Sequence, residues 1–374
     1  MTSALATPRP GVSAGGVPRH QRRLRLMIVD DSMVARAVLS RMIEADGGFE
    51  IAGVAGTAED AIEALGEVRV DVILLDLEMP GAGGLQSIPR ILKAARGAQV
   101  LIVSSLAEEG AEETVAALAL GAADTLPKPG TGRFNGRFSE ILLAKLRALG
   151  PADDAPRYHP ADDRLPPRYA LARAPMMAEA PLRLVAIGAS TGGIHALASL
   201  FEALPRRIEV PILVTQHLPA PFMTVLARQL AAASGRPAMV AEDGMRLAPD
   251  QIVIAPGDAH LNLDLAGERL IVRLSNQKMA SGCLPSVDPM LATAGAMLGG
   301  GALGIVLTGM GRDGTEGATK LVAAGGSIVA QDEGSSAVWG MPRSVVEAGL
   351  ACAVLPPAKI ARRIAIRAEE ALCR

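Results

Sequence analysis

Ser190 sits in a run of small residues, Gly188-Ala-Ser-Thr-Gly-Gly193, between an apolar stretch and a segment with helical spacing at 194–203. The run satisfies G-x-S-x-G, in which small neighbours permit a sharp strand-to-helix turn that exposes a serine hydroxyl as a nucleophile. A dinucleotide loop and a purely structural turn are the other readings. Against the first, Ser190 occupies the place of the second glycine of G-x-G-x-x-G, and the next apolar strand, 210–216, offers no acid for a ribose. A serine nucleophile needs a base. His20 and His159 fall in segments without apolar periodicity, His195 lies in the helix after the turn, and His260 follows Ala255-Pro-Gly-Asp258. His217 ends an apolar strand as Thr215-Gln-His217 and is best placed, because neighbouring parallel strands run about 5 Å apart and bring their end residues within reach of one another. Asp313, in Ile305-Val-Leu-Thr-Gly-Met-Gly-Arg-Asp-Gly314, is the candidate acid that fixes the imidazole tautomer. The glycines flanking Met310 leave backbone N–H groups free for an oxyanion. Taken singly, a lone histidine is also a satisfied core residue and Asp313 also a turn residue before Gly314.

A second set of chemistry-bearing residues lies in the first half of the chain. Asp30-Asp31, Asp76, Ser104-Ser105 and Lys128-Pro129 all fall at the carboxyl ends of apolar runs, where a parallel sheet places its ligand. Three converging carboxylates repel one another, and a hard divalent cation such as Mg²⁺ at Asp30, Asp31 and Asp76 relieves that. A carboxylate held beside such an ion can attack a phosphoryl group, which makes Asp76 the nucleophile and Ser104 and Lys128 the cradle of the phosphoryl oxygens. The plainer reading has Asp30 and Asp31 capping a helix at 32–44, Asp76 opening a turn and Lys128 as a solvated charge.

The elements that must position these groups follow from the hydrophobic pattern. From 24 to 149, apolar runs at 24–30, 49–55, 70–76, 99–104 and 124–127 alternate with amphipathic stretches. Five βα units of this kind predict a doubly wound parallel sheet. Seven prolines between 151 and 181 mark a linker over 150–181, and residues 1–23 read as a disordered leader without the apolar core of a signal peptide. A second α/β series, 182–372, begins with strands at 182–188 and 210–216, passes a β-rich excursion at 251–274 and returns to α/β at 285–328. The fold class is therefore α/β with two domains, both doubly wound and the second with a largely parallel sheet. The 374 residues carry 37 Lys and Arg against 39 Asp and Glu, and one Trp, two Tyr and five Phe, which argues against nucleic acid as a partner. Cys283, Cys352 and Cys373 are too scattered for a disulfide framework or a CxxC zinc site and fit a reducing cytoplasm. Residues 290–311 lack charge over a bilayer-spanning length, but seven glycines interrupt them and favour a helix, a turn and a buried strand at 304–308.

With Ile28-Val-Asp-Asp-Ser32, Leu75-Asp-Leu-Glu-Met-Pro80 and Leu126-Pro-Lys-Pro129, residues 24–149 resemble the response-regulator receiver domain. Thr125 departs from the aromatic residue that many receivers carry there, which removes the usual aromatic switch and not the phosphorylation chemistry. Residues 182–372 resemble the catalytic domain of the chemotaxis protein-glutamate methylesterases. The matching motifs are Ile187-Gly-Ala-Ser-Thr-Gly-Gly193, Thr215-Gln-His217, Ile254-Ala-Pro-Gly-Asp258, Pro285-Ser-Val-Asp288, Leu307-Thr-Gly-Met-Gly311 with Asp313-Gly314, and Ala330-Gln-Asp-Glu333 with Gly340-Met-Pro342. The resemblance implies hydrolysis of glutamate γ-methyl esters on the cytoplasmic helices of methyl-accepting chemoreceptors, with release of methanol, and deamidation of particular glutamines. It makes Ser190 nucleophile, His217 base and acid, and Asp313 the orienting acid, with Thr191 and the Met310 N–H near the oxyanion. It also implies a histidine kinase as phosphodonor, Mg²⁺ in the receiver, no cofactor in the esterase site, no membrane insertion, and an unphosphorylated receiver docked so as to restrict access to Ser190. Cys283-Leu284 stands where relatives commonly have a basic residue. A receiver-gated adaptor with an inactive esterase-like domain is the alternative, and a nucleotide-dependent oxidoreductase a third reading.

Overall fold

The computed structural model describes residues 22–79, 83–104, 108–128, 136–150, 180–267 and 269–372. The expected leader and linker fall almost wholly outside the described residues, as do Pro80, Ser105 and Pro129. The first half folds as β1 Leu24–Val29, α1 Met33–Glu44, β2 Phe49–Ala55, α2 Ala58–Glu67, β3 Val72–Leu75, α3 Gly84–Ala95, β4 Gln99–Ser104, α4 Glu108–Ala119, β5 Asp124–Pro127 and α5 Gly136–Leu149. Its sheet runs β2-β1-β3-β4-β5, with every pairing parallel. The four side chains of β3, Val72-Ile-Leu-Leu75, are all buried, because helices cover both faces of the sheet. Each such burial contributes on the order of 1.5–3 kcal/mol. The strand expected over 70–76 shortens to these four residues, since Asp71 turns its carboxylate to the Arg25 N–H and Asp76 lies beyond the paired register. Ser32, not Asp30 or Asp31, caps α1, its hydroxyl accepting from the Ala35 N–H at 3.2 Å. The Asp30 carboxylate instead accepts from the Ser32 N–H.

The second half contains β6 Leu184–Ala189, α6 Gly193–Ala203, β7 Ile212–Gln216, α7 Met223–Ser234, β8 Ala238–Val240, β9 Ile252–Ile254, β10 His260–Ala266, β11 Arg269–Ser275, α8 Val287–Leu298, β12 Ala302–Val306, α9 Thr315–Ala323, β13 Ser327–Gln331, α10 Met341–Glu347, β14 Ala351–Leu355 and α11 Pro357–Leu372. Seven strands form one parallel sheet in the order β14-β13-β12-β6-β7-β9-β8. The β-rich excursion splits in two: β9 belongs to this sheet, while β10 and β11 form a separate antiparallel hairpin packed on α8. The uncharged stretch 290–311 resolves into α8, a short 3-10 turn and β12. The strand there begins two residues before the expected 304–308, because β12 pairs with β6 from Ala302 onward. No described helix is long and apolar enough to cross a membrane.

Strand order reverses at β6, which lies between β12 and β7, so a crevice opens beyond the carboxyl ends of these three strands. The first half of the chain packs against this end of the molecule. Helix α4 lies on α6, on α7 and on the 3-10 turn Ala220–Phe222. One apolar cluster runs through both halves, joining Val115 and Leu118 to Ile194, Leu197 and Met223.

Candidate active site

Strand β6 carries the chain into the crevice and Gly192, at φ +78, turns it sharply into α6. Ser190 stands between them, with its N–H donating to Thr308 O at 3.0 Å and its carbonyl accepting from the Gly193 N–H and from Gln216 Nε2, both at 2.8 Å. Room for that turn requires glycine on both sides. A Cβ on Gly193 would meet the Ala189 side chain at 2.8 Å, and a Cβ on Gly309 would lie 2.8 Å from the Ser190 Cβ. Gly309 thus brings the Met310 backbone against the serine, and the Met310 side chain remains exposed.

His217 is the next residue after β7. Its N–H donates to Ala189 O at 3.1 Å, and β6 and β7 pair up to Ala189 and Gln216, so Ser190 and His217 leave adjacent strand ends side by side. Asp313, buried in the loop between β12 and α9, accepts from His217 Nε2 at 2.8 Å. The structure therefore brings all three candidates to one crevice. The contact closed between them is the His–Asp pair, and a serine-to-imidazole bond is not among those of the described residues. Such bonds commonly tighten only when substrate is bound.

Asp313 is held from its other side by groups that the sequence did not single out. The Ser286 hydroxyl donates to Oδ1 at 2.5 Å and the Val287 N–H to Oδ2 at 2.7 Å. His260, weighed above as a base, has a structural role instead: Nδ1 accepts from the Ser286 N–H at 2.9 Å and Nε2 donates to Gln277 O at 2.8 Å. The signal was present in Pro285-Ser-Val-Asp288, but the motif carried no role before the loop was seen to reach Asp313. Burial by itself pushes Asp313 up, but the bonds from His217, Ser286 and Val287 and the His217 charge hold it well below the usual carboxylate range. Burial likewise pushes His217 down. The Asp313 bond overrides it, aided by Cys283 and the Asp313 charge, and raises the imidazole from 6.5 to about 9. Nearby Asp288 rises to about 6 through burial and the Asp313 charge, opposed by its bond from the Gly317 N–H.

Thr191 faces the other half of the molecule. Its hydroxyl donates to Asp124 Oδ2 at 2.5 Å, and the following Gly192 N–H donates to Ala123 O at 2.5 Å. Asp124, at the start of β5, is also paired with Lys145 Nζ at 2.5 Å. A narrow cleft between the halves is lined by Leu118, Ala123, Asp124, Ser190, Gly192 and Gln216. His195, the remaining histidine candidate, lies on α6 with its ring 3.5 Å from Ala119 O across the same interface. The part-exposed Ser190 thus borders the contact surface between the two halves.

The first-half cluster also assembles. Asp30, Asp31 and Asp76 each offer an oxygen within 4.8 Å of the others, with Asp30 and Asp76 buried. Lys128 Nζ lies 2.7 Å from Asp76 Oδ2 and 2.9 Å from Asp30 Oδ2. Buried Asp30 Oδ2 has the Lys128 ammonium as its ion-pair partner and no further hydrogen bond among the described residues, so it keeps a lone pair that a cation can take. An all-oxygen set of three carboxylates fits a hard ion such as Mg²⁺. Burial raises Asp76, against the lowering by Lys128, while Asp76 and Asp30 raise Lys128 despite its burial. Ser104 Oγ is engaged with Thr114 Oγ1 of α4 at 2.8 Å. Thr125 is buried with an unpartnered hydroxyl.

Both halves match known families in this order. Residues 26–133 match the response regulator receiver domain and residues 185–364 the CheB methylesterase. The chain is 40% identical over 365 residues to the protein-glutamate methylesterase/protein-glutamine glutaminase of group 2 operon of Rhodopseudomonas palustris, covering 91% of this chain and 93% of that one. It is 41% identical over 348 residues to protein-glutamate methylesterase/protein-glutamine glutaminase 2 of Caulobacter vibrioides, covering 92% and 99%. Among solved structures, the Thermotoga maritima CheB methylesterase catalytic domain aligns at 37% identity and TM-score 0.49, over 50% of this chain and 99% of that one. A receiver sheet with its carboxylate cluster, followed by a parallel sheet whose crevice holds a serine turn, a histidine and an aspartate, matches such relatives over nine-tenths of its length, and the chain belongs to the CheB family of receiver-linked protein-glutamate methylesterases.

Proposed function

We infer that this protein is a phosphorylation-gated serine hydrolase that removes γ-methyl esters from glutamates of chemoreceptors and deamidates particular glutamines. The observation that carries the reading is the His217–Asp313 pair at 2.8 Å beside the Ser190 turn, on adjacent ends of one parallel sheet. Asp313 engages Nε2, so neutral His217 carries its proton there and keeps Nδ1 as the lone pair for Ser190. Ser190 Oγ attacks the ester carbonyl carbon as its proton passes to His217. The imidazolium formed is stabilised by Asp313. The oxyanion is placed at the backbone N–H groups beside Ser190, those of Thr191 and Met310. Collapse expels methanol, which takes the proton from His217 and leaves a γ-glutamyl ester on Ser190. Water, deprotonated by His217, then releases glutamate. A glutamine side chain follows the same course with ammonia as leaving group.

In the receiver, Asp76 is the phosphoryl acceptor, with a kinase of a chemosensory system as donor. Asp30, Asp31 and Asp76 would hold Mg²⁺, which when bound offsets charge between carboxylates and phosphoryl group. Lys128 stands ready at 2.7 Å to pair with the phosphoryl oxygens, and Ser104 reaches them by giving up Thr114. Docked through Asp124–Thr191 and Ala123–Gly192, the receiver covers the serine turn, and phosphorylation relieves that cover. Ser190→Ala should abolish methanol release from methylated receptor. Near-normal release by folded Ser190→Ala protein would overturn the serine mechanism.

A further inference from the structure

Cys283 lies in the loop that leads into α8, and no cysteine or histidine stands near it in sequence at ligand spacing. In the fold it joins two groups from other loops. One ligand atom each from His217, Cys283 and Asp313 lie within 4.8 Å of one another. A thiolate, an imidazole and a carboxylate are the donor set of Zn²⁺, a borderline-soft ion held tetrahedrally at about 2.0–2.3 Å from each ligand. Bonds of that length place the donor atoms roughly 3.3–3.6 Å apart. The His217–Asp313 contact at 2.8 Å has to open by roughly half an ångström, and the sulfur has to approach by about 1 Å at most, to meet that spacing. Cys283 is free of any disulfide and part-exposed, its Sγ lies 3.8 Å from Ser281 O, and it already interacts with the His217 imidazole, so a rotation of the side chain would complete the approach. Asp313 is already oriented from behind by Ser286 Oγ and the Val287 N–H, the outer support that a ligating carboxylate needs.

We propose that Cys283, His217 and Asp313 form a soft-metal site, suited to Zn²⁺, that switches ester hydrolysis off. Coordination releases the thiol proton and any imidazole proton on the ligating nitrogen to solvent, and water completes the fourth position. It engages the general base and its orienting acid together. The switch rests on the catalytic roles proposed above for His217 and Asp313, whereas the metal site itself does not. The cluster Asp30, Asp31 and Asp76 also attracts divalent cations but supplies oxygen alone. Sulfur ligation therefore distinguishes the two.

The test adds Co²⁺ to the full chain, kept reduced with a thiol-free phosphine, and reads the sulfur-to-cobalt charge-transfer absorption. Wild type and Asp76→Asn should show the band, and Cys283→Ser and Cys283→Ala should not. In parallel, Zn²⁺ is titrated into the methanol-release assay, each protein being normalised to its own metal-free rate. Half-inhibition of both Cys283 variants should need roughly tenfold more Zn²⁺ or above, as expected for loss of a ligand, and a chelator should restore the wild type. Absence of the band, or equal Zn²⁺ sensitivity in wild type and both variants, overturns the proposal. A wild-type chain that shows the band yet releases no methanol even without metal would keep the site and refute the esterase reading instead.

Discussion

The pairing of His217 with Asp313 makes a prediction about pH. The imidazole, at about 9, is mostly protonated at neutrality, and a protonated histidine cannot accept the Ser190 proton. At pH 7 only about 1% of the molecules carry the free base, and at pH 8 about 10%. The value of kcat/KM should therefore climb about tenfold per unit from pH 7 and level off near 9. The assay is methanol release from methylated receptor between pH 6 and 10, with the Ser190→Ala rate subtracted at each pH to remove alkaline hydrolysis of the ester. Asp313→Asn removes the anion that overrides burial, so the inflection should fall toward or below 6.5 while the plateau drops by on the order of 10⁴-fold. The same shift bears on stability. Because the folded value lies above the unfolded one, the pair stabilises fully below pH 6.5 and loses its contribution, about 3 kcal/mol, as pH rises through 9. A flat profile from pH 6.5 to 9, or an inflection that Asp313→Asn leaves in place, would refute this reasoning.

Three further outcomes test the rest of the molecule. Asp124→Ala removes the acceptor of the Thr191 hydroxyl across the interface, a charge-assisted bond worth about 1.5–3 kcal/mol, and should raise unphosphorylated esterase activity by roughly 10- to 100-fold toward that of a fragment starting at residue 180. Unchanged basal activity would show that this contact does not hold the receiver in place. Acetyl phosphate with Mg²⁺ should label the wild type once, with an acid-stable, base-labile bond, and Asp76→Asn not at all. A label that persists there would make another carboxylate the acceptor. Gly309→Ala puts a methyl group against Ser190, so kcat should fall at least roughly tenfold, a 1.4 kcal/mol loss, while circular dichroism stays native. Full activity in that variant would mean the turn can yield.

Much of this site was legible before folding because it sits on local patterns. A buried strand reads as an apolar run whatever lies beside it, and a glycine turn after such a run has few conformations open to it. Ser190 and Asp76 could be picked out for that reason, and with them the two parallel sheets. His217 was favoured because strand ends are neighbours in any parallel sheet, and the β6–β7 register gives that neighbour relation its form. Sequence spacing says nothing, however, about which loops meet above the sheet. Ser286 reaching Asp313, His260 fixing Ser286, and Cys283 arriving beside His217 all depend on the path of the loop before α8. The protonation of His217 belongs to the same level, since burial and the Asp313 bond act in opposite directions and only their distances decide which prevails. The interface is the furthest from the sequence. Asp124 and Thr191 belong to the two different halves of the chain, far apart in sequence, and only the packing of α4 on α6 and α7 brings the receiver against the residue next to Ser190.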